Sequence, residues 1–361
     1  MESHGHILAA GGAIPWATRP ATIREEVRFQ TGDAKTLRLK RTRLPSGLDR
    51  GPVLLAHGAG VRSHIFQPPH PGTIDIQLAE AGFDVWNLDW RASIDQPPNP
   101  WTLDEAAVFD FPAAVGTILE RTGRSELKAM VHCQGSTSFM MSLAAGLLPQ
   151  VTAVVSNAVS LHPVVPHLAR LKALYAVPSL GRYVPYLNPQ WGISAPPGWP
   201  KLFDFYVRAI HHECNNAVCK WSSFTYGAGF PTLWKHENLS PDVHEWLKGE
   251  FAHVPMTFFH QMSRCIAAGH LVSTGRFNDV LPADVVGQAP KTDARVVLLA
   301  GELNACFLPE SQARSYDFLD SHAPGRHSLY QLAGYGHLDV FLGKNAPVDV
   351  FPLIVDELAR D

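Results

Sequence analysis

The sequence predicts an α/β chain: a mostly parallel central sheet with helices on both faces, interrupted by an inserted, mainly helical cap. Three observations carry this. Short apolar runs alternate with helical stretches from about residue 52 to 160, which implies parallel strands joined by right-handed crossovers. Within that region Leu127-Lys128-Ala129-Met130-Val131 reads as a buried strand, and the run from Thr137 to Ala145 as a helix packed on a sheet. The pattern is lost over residues 161–290 and resumes at Arg295. Residues 1–160 and 291–361 therefore form the core, and 161–290 the cap.

The elements follow in order. Residues 24–29 and 36–42 alternate in polarity and predict an antiparallel hairpin. Val53-Leu54-Leu55-Ala56 is an apolar strand followed by the turn His57-Gly58-Ala59-Gly60. The stretch from Gly82 to Arg91 reads as a parallel strand ending in a polar loop, and Val151 to Ser156 as the next strand. The cap is rich in Pro, Trp, His and Tyr and shows no regular strands; Pro241 to Gly249 and Pro255 to Gly269 are its clearest helices. Arg295 to Gly301 is a late strand, followed by Glu302-Leu303-Asn304. Ser328 to Leu332 is a short last strand, followed by Gly334-Tyr335-Gly336-His337-Leu338-Asp339.

Composition bounds the function. A chain of 361 residues with 46% hydrophobic and 17% charged residues can bury a substantial core. A formal charge of −3 gives no basic surface for nucleic acid or an anionic membrane. No apolar run approaches the ~20 residues of a membrane span. Met1 to Pro20 lacks the basic start and apolar centre of a secretory signal. Five scattered cysteines, an odd number, argue against a disulfide framework and for a reducing, cytoplasmic setting.

The chemistry concentrates at Val131-His132-Cys133-Gln134-Gly135-Ser136. A side chain on a tight strand-to-helix turn projects above the sheet edge, and the next N–H points to where an oxyanion develops. The common form of such a turn is Gly-x-Ser-x-Gly. Here Cys133 takes the nucleophile position, Gly135 the second small position and Val131 the first. An inert buried cysteine is the plain alternative. The His-Gly turn offers a second N–H, at Ala59, beside that of Gln134. A thiol attacks as thiolate, and a neighbouring imidazole promotes it; His337, in a Gly-rich loop after the last strand, is the candidate. His132 is expected to point away from Cys133 if the strand persists to that residue. Asn304 stands three residues after Gly301, and an amide can accept the histidine N–H, as in Cys-His-Asn proteases. Glu302 is the alternative, since it shares a face with Asn304 in an extended segment. Asp339 reads as structural.

The order of oxyanion turn, nucleophile, acid or amide, and histidine resembles that of the α/β-hydrolases. Gly336-His337-Leu338-Asp339-Val340-Phe341-Leu342-Gly343 resembles the catalytic-histidine region of the acid lipases, and Phe259-His260-Gln261-Met262-Ser263-Arg264 a segment of their cap. A further likeness is to the hydrolase-like region attached to some cholesterol-oxidase-type flavoproteins, with His-Cys-x-Gly-Ser at the turn and Gly343-Lys344-Asn345-Ala346 after the histidine. No Gly-x-Gly-x-x-Gly flavin fingerprint is present, so no cofactor is expected. Cysteine at this turn is also a feature of dienelactone hydrolases and polyhydroxyalkanoate synthases. The resemblance implies a cap seated above the nucleophile. It also implies an enzyme acting on a small, apolar ester, thioester or lactone through a thioester on Cys133, by hydrolysis, acyl transfer or cyclisation. Two alternatives stand beside it: a lyase or isomerase using His337 as base, and a non-catalytic binding module.

Two features of the cap stay open. His211-His212-Glu213-Cys214, with Cys219 nearby, holds zinc-ligand residue types. The spacing matches no familiar motif and lacks a second ligand pair, so it reads as a polar helix and no metal is expected. Trp221, Phe224, Tyr226, Phe230 and Trp234 either line an apolar pocket or form the cap's own core.

Overall fold

The computed structural model describes residues 6–7, 22–45, 47–181, 183–230 and 232–360. The reading of Met1 to Pro20 lies outside these, apart from residues 6 and 7. Eleven strands are present among them: β1 (His6–Ile7), β2 (Ile23–Gln30), β3 (Thr36–Arg43), β4 (Pro52–Ala56), β5 (Asp84–Asp89), β6 (Leu127–His132), β7 (Val151–Asn157), β8 (Tyr186–Leu187), β9 (Val254–Pro255), β10 (Arg295–Gly301) and β11 (Ser328–Leu332). Nine form one sheet in the order β1-β11-β10-β7-β6-β4-β5-β3-β2. Pairing is parallel from β1 to β5 and antiparallel for β5-β3 and β3-β2. Helices flank the sheet, among them Ile74–Glu80, Phe111–Thr122, Cys133–Ala144 and Phe351–Ala359.

Residue type explains the strands. All five residues of β4 are buried, as expected for a parallel strand covered on both faces. The β2-β3 hairpin is the exposed edge. There Arg38 and Lys40 of β3 reach Asp89 at the end of β5, at 2.8 and 2.9 Å, so the hairpin is joined to the sheet by ion pairs as well as by the β3-β5 ladder.

Between β7 and β10 the chain forms the helices Trp199–Ile210, Ala217–Tyr226, Pro241–Trp246 and Met256–Ala268. The expected absence of strands there needs one correction: β8 and β9, of two residues each, pair antiparallel. The segment 211–216 is also a loop and not the expected polar helix, because the preceding helix ends at Ile210 and Asn216 caps the next one through Val218 and Cys219. One apolar core runs from the sheet (Leu54, Val85, Met130) into this insertion (Trp191, Trp221, Val243). No helix among the described residues is long and apolar enough to cross a membrane.

The parallel strands share a direction, so the loops leaving their carboxyl ends gather on one side, where open α/β sheets bind ligands. Those loops are 57–60 after β4, the turn at 132–133 after β6, 302–306 after β10 and 333–338 after β11.

Candidate active site

Cys133 begins the helix Cys133–Ala144 directly after β6. Its φ of 54° is one of three positive values at non-glycine residues among those described, a left-handed conformation that costs free energy and is held by its surroundings. The surroundings are specific. A Cβ on Gly135 would lie 2.1 Å from the His57 carbonyl oxygen, and one on Gly58 3.1 Å from the Cys133 Cβ. Both glycines let the turn after β4 close against the turn after β6. Val131 is accommodated because its neighbours across the sheet are small, Ala56 and Ser156.

A second close approach brings in the histidine. A Cβ on Gly301 would lie 2.2 Å from the Gly336 oxygen, so the end of β10 meets the loop after β11. There the His337 ring Nδ1 lies 3.2 Å from Asn304 Oδ1. The same oxygen accepts the backbone N–H groups of Cys306 at 2.9 Å and Phe307 at 3.2 Å. Those two donors fix which Asn304 atom faces the ring, so His337 donates from Nδ1, and its Nε2 is an acceptor when the ring is neutral and a second donor when it is charged. Ligand atoms of His132, Cys133 and His337 lie within 4.8 Å of one another.

Electrostatics favour a thiolate at Cys133. Burial pushes its pKa up. Hydrogen bonding with Cys306, the charge and hydrogen bond of His337, and the Gln134 N–H together bring it well below the ordinary thiol range. A position at a helix N-terminus acts in the same direction. Cys306 moves well above that range, through its hydrogen bond with Cys133, burial and the Cys133 charge.

Of the predicted residues, Cys133, Gln134, His337 and Asn304 are brought together and buried. Ala59 lines the same small cavity as Cys133 and His337, of about 20 Å³, and its carbonyl accepts the Tyr226 hydroxyl at 2.5 Å. Glu302 is not part of the cluster: it is exposed and accepts the Gly334 N–H at 2.9 Å. The 302–304 segment is not extended as expected, since Asn304 N–H turns back to the Gly301 oxygen. Asp339 accepts the Gly336 N–H at 2.9 Å and the Asn238 amide at 2.5 Å, a structural role in the histidine loop. His132 differs from its expected direction. Its ring packs 4.8 Å from that of His337, and its Nδ1 takes the Asn157 amide at 2.8 Å. Strand alternation ends at His132, because Cys133 already has the left-handed backbone.

Two residues near the site carry no sequence signal of the kind used above. Cys306 lies two positions beyond Asn304, and only the folded loop turns it to Cys133. Lys172 donates to the Phe224 carbonyl and, at 3.0 Å, to that of Thr225; burial lowers its pKa to about 7. It lines both a cavity of about 50 Å³ that reaches Gln134 and Cys306 and an apolar cavity of about 880 Å³. Val177 and Phe259 are shared by the same two cavities. The larger one is walled by Leu168, Tyr175, Leu202, Phe205 and Phe230. The aromatic residues of the insertion thus divide: Phe224 and Phe230 line this cavity, Tyr226 and Trp234 the small one at Cys133, and Trp221 is buried core.

Residues 51–195 match the family model described as alpha/beta hydrolase fold. Human lipase member M is 31% identical over 160 residues, 39% of this chain and 37% of that protein. Sterol esterase 2 of Saccharomyces cerevisiae is 27% identical over 139 residues, 34% of this chain and 26% of that protein. The chain thus spans well under half the length of the curated relatives it matches. Among solved structures, a soluble variant of monoglyceride lipase from S. cerevisiae, with a substrate analog, superposes with a TM-score of 0.58 at 16% identity, covering 96% of this chain and 98% of that one.

Proposed function

Because the chain has the α/β-hydrolase fold, we propose that it is an acyl-transfer enzyme with Cys133 as nucleophile. The observation that carries this is the connected set Cys133, His337 and Asn304, with the Asn304 oxygen 3.2 Å from His337 Nδ1. Residues 161–290 act as its cap. The Cys133 thiolate attacks an ester, thioester or lactone carbonyl. The N–H groups of Ala59 and Gln134 receive the oxyanion. The tetrahedral adduct collapses, the C–O or C–S bond to the leaving group breaks, and His337 returns to that group the proton taken from the thiol. A thioester remains on Cys133. His337 then deprotonates water or another nucleophile, which takes the acyl group and releases the thiolate. Water gives hydrolysis; an alcohol, amine or carbanion gives transfer or cyclisation.

The apolar lining of the large cavity favours a hydrophobic acyl substrate, in keeping with the lipases and the sterol esterase among the relatives. The test is intact-protein mass spectrometry with nitrophenyl esters and thioesters of increasing acyl length. We expect one acyl adduct, located at Cys133 and absent in Cys133→Ala. Turnover that persists in Cys133→Ala and disappears in His337→Ala would overturn the covalent route in favour of a lyase or isomerase.

A further inference from the structure

We infer that Cys214, Cys219, His236 and His244 form a zinc site within the insertion, separate from the cluster at Cys133. One ligand atom from each of the four lies within 4.8 Å of all the others. The sulfur of Cys219 is 3.2 Å from His236 Nε2. Tetrahedral zinc with Zn–S of about 2.3 Å and Zn–N of about 2.0 Å separates its ligand atoms by roughly 3.3–3.8 Å. A small contraction of the observed set meets that geometry. Two sulfurs and two imidazoles are the donor set of structural zinc, and all four positions of a tetrahedron are supplied by protein, which closes the site to substrate.

A second observation points to a ligand. The Nε2 atom of His244 is buried and has no hydrogen-bond partner among the described residues. A buried, unpaired ring nitrogen is costly, and a metal would use it. His211 and Glu213 are not in the set, because the His211 ring is already held by the Gly229 carbonyl at 3.0 Å and by Glu213 at 3.2 Å. The ligand pairs are Cys-x4-Cys and His-x7-His, and the second pair comes from a 3-10 turn and a separate helix. Asn216 already links the two halves: its oxygen caps Val218 and Cys219, and its amide donates to the His244 carbonyl.

The site ties together the parts of the insertion that line the cavity at Cys133. Cys219 lies on the helix that ends in Tyr226, whose hydroxyl reaches Ala59. His236 follows Leu233 and Trp234, which line the cavity at Cys133. On binding, Zn2+ displaces the thiol protons of Cys214 and Cys219 into solvent.

The experiment uses the full chain, reduced, stripped with chelator, reloaded with Zn2+ alone and separated from free metal by gel filtration. We expect about one zinc per chain, and protection of Cys214 and Cys219 from alkylation when zinc is present. His244→Asn and Cys214→Ser should lose the zinc, and His337→Asn should keep it. Wild-type protein that retains no zinc after reloading overturns the proposal, whatever the variants do. So does zinc that is lost in His337→Asn and kept in His244→Asn, because the ion then belongs to the Cys133 cluster. A Cys214–Cys219 disulfide whose reduction restores no zinc binding overturns it as well.

Discussion

Truncating Asn304 tests the link between histidine and loop most directly. Its Oδ1 accepts three N–H groups, from His337 at 3.2 Å, Cys306 at 2.9 Å and Phe307 at 3.2 Å, and the residue is 3% exposed. Asn304→Ala leaves two backbone donors unpaired in a buried loop. At about 1–3 kcal/mol for each unsatisfied group, stability should fall by about 2–6 kcal/mol. The His337 ring also loses the acceptor that orients it, and with it part of its support of the Cys133 thiolate. The assay is a denaturant midpoint together with the pH profile of iodoacetamide labelling at Cys133, read by mass spectrometry. Labelling should shift to higher pH in Asn304→Ala. Asn304→Asp keeps an oxygen in place and should recover most of both losses. If Asn304→Ala unfolds within about 0.5 kcal/mol of wild type and labels with an unchanged profile, the reasoning about this loop is refuted.

Two more outcomes follow from the geometry. Gly135→Ala would set a Cβ 2.1 Å from the His57 oxygen where an ordinary C···O contact is about 3.3 Å. The overpacking should cost about 1–3 kcal/mol and slow labelling of Cys133; wild-type melting and labelling would show that the two turns are not in contact. Burial lowers the Lys172 pKa from 10.5 to about 7, so between those values the unfolded chain binds the extra proton and stability should rise with pH. Lys172→Met should remove that rise, on the order of a few kcal/mol at most, as read from urea midpoints at neutral and alkaline pH; an unchanged slope would place the ammonium in solvent.

The cavities suggest how a substrate would be led inward. The cavities of about 880 Å³ and about 50 Å³ share Lys172, Val177 and Phe259 in their walls, and the second shares Tyr226 with the cavity of about 20 Å³ at Cys133. The last is too small for an acyl chain, so on the proposed route a substrate displaces wall residues such as Tyr226 or Trp234 to reach the thiol. The ties that hold those residues, the Tyr226–Ala59 hydrogen bond and the proposed zinc, therefore bear on access as well as on stability.

The sequence by itself determined the core. Mostly apolar runs bounded by Gly and polar turns predict β4, β6, β7 and β10 within a residue or two, because parallel strands buried on both faces need such runs, while β11, with Ser328 and an exposed Gln331, is marked by its apolar Leu329, Tyr330 and Leu332 alone. The turn at Cys133 and the loops carrying Asn304 and His337 were legible for the same reason: they stand directly after those strands. Tertiary structure decided everything that depends on contact between distant segments. Asn304 rather than Glu302 faces His337 because the chain turns back after Gly301 and spends the Glu302 carboxylate on Gly334. His132 meets His337 because the left-handed residue at Cys133 breaks the strand's alternation. Cys306 approaches the thiol, and Lys172 shares a cavity with Cys306, from loop and helix positions with no periodic pattern to mark them. His236 and His244 join Cys214 and Cys219 only in three dimensions. Periodicity records which face of one element is buried; it carries no record of which other element lies against that face.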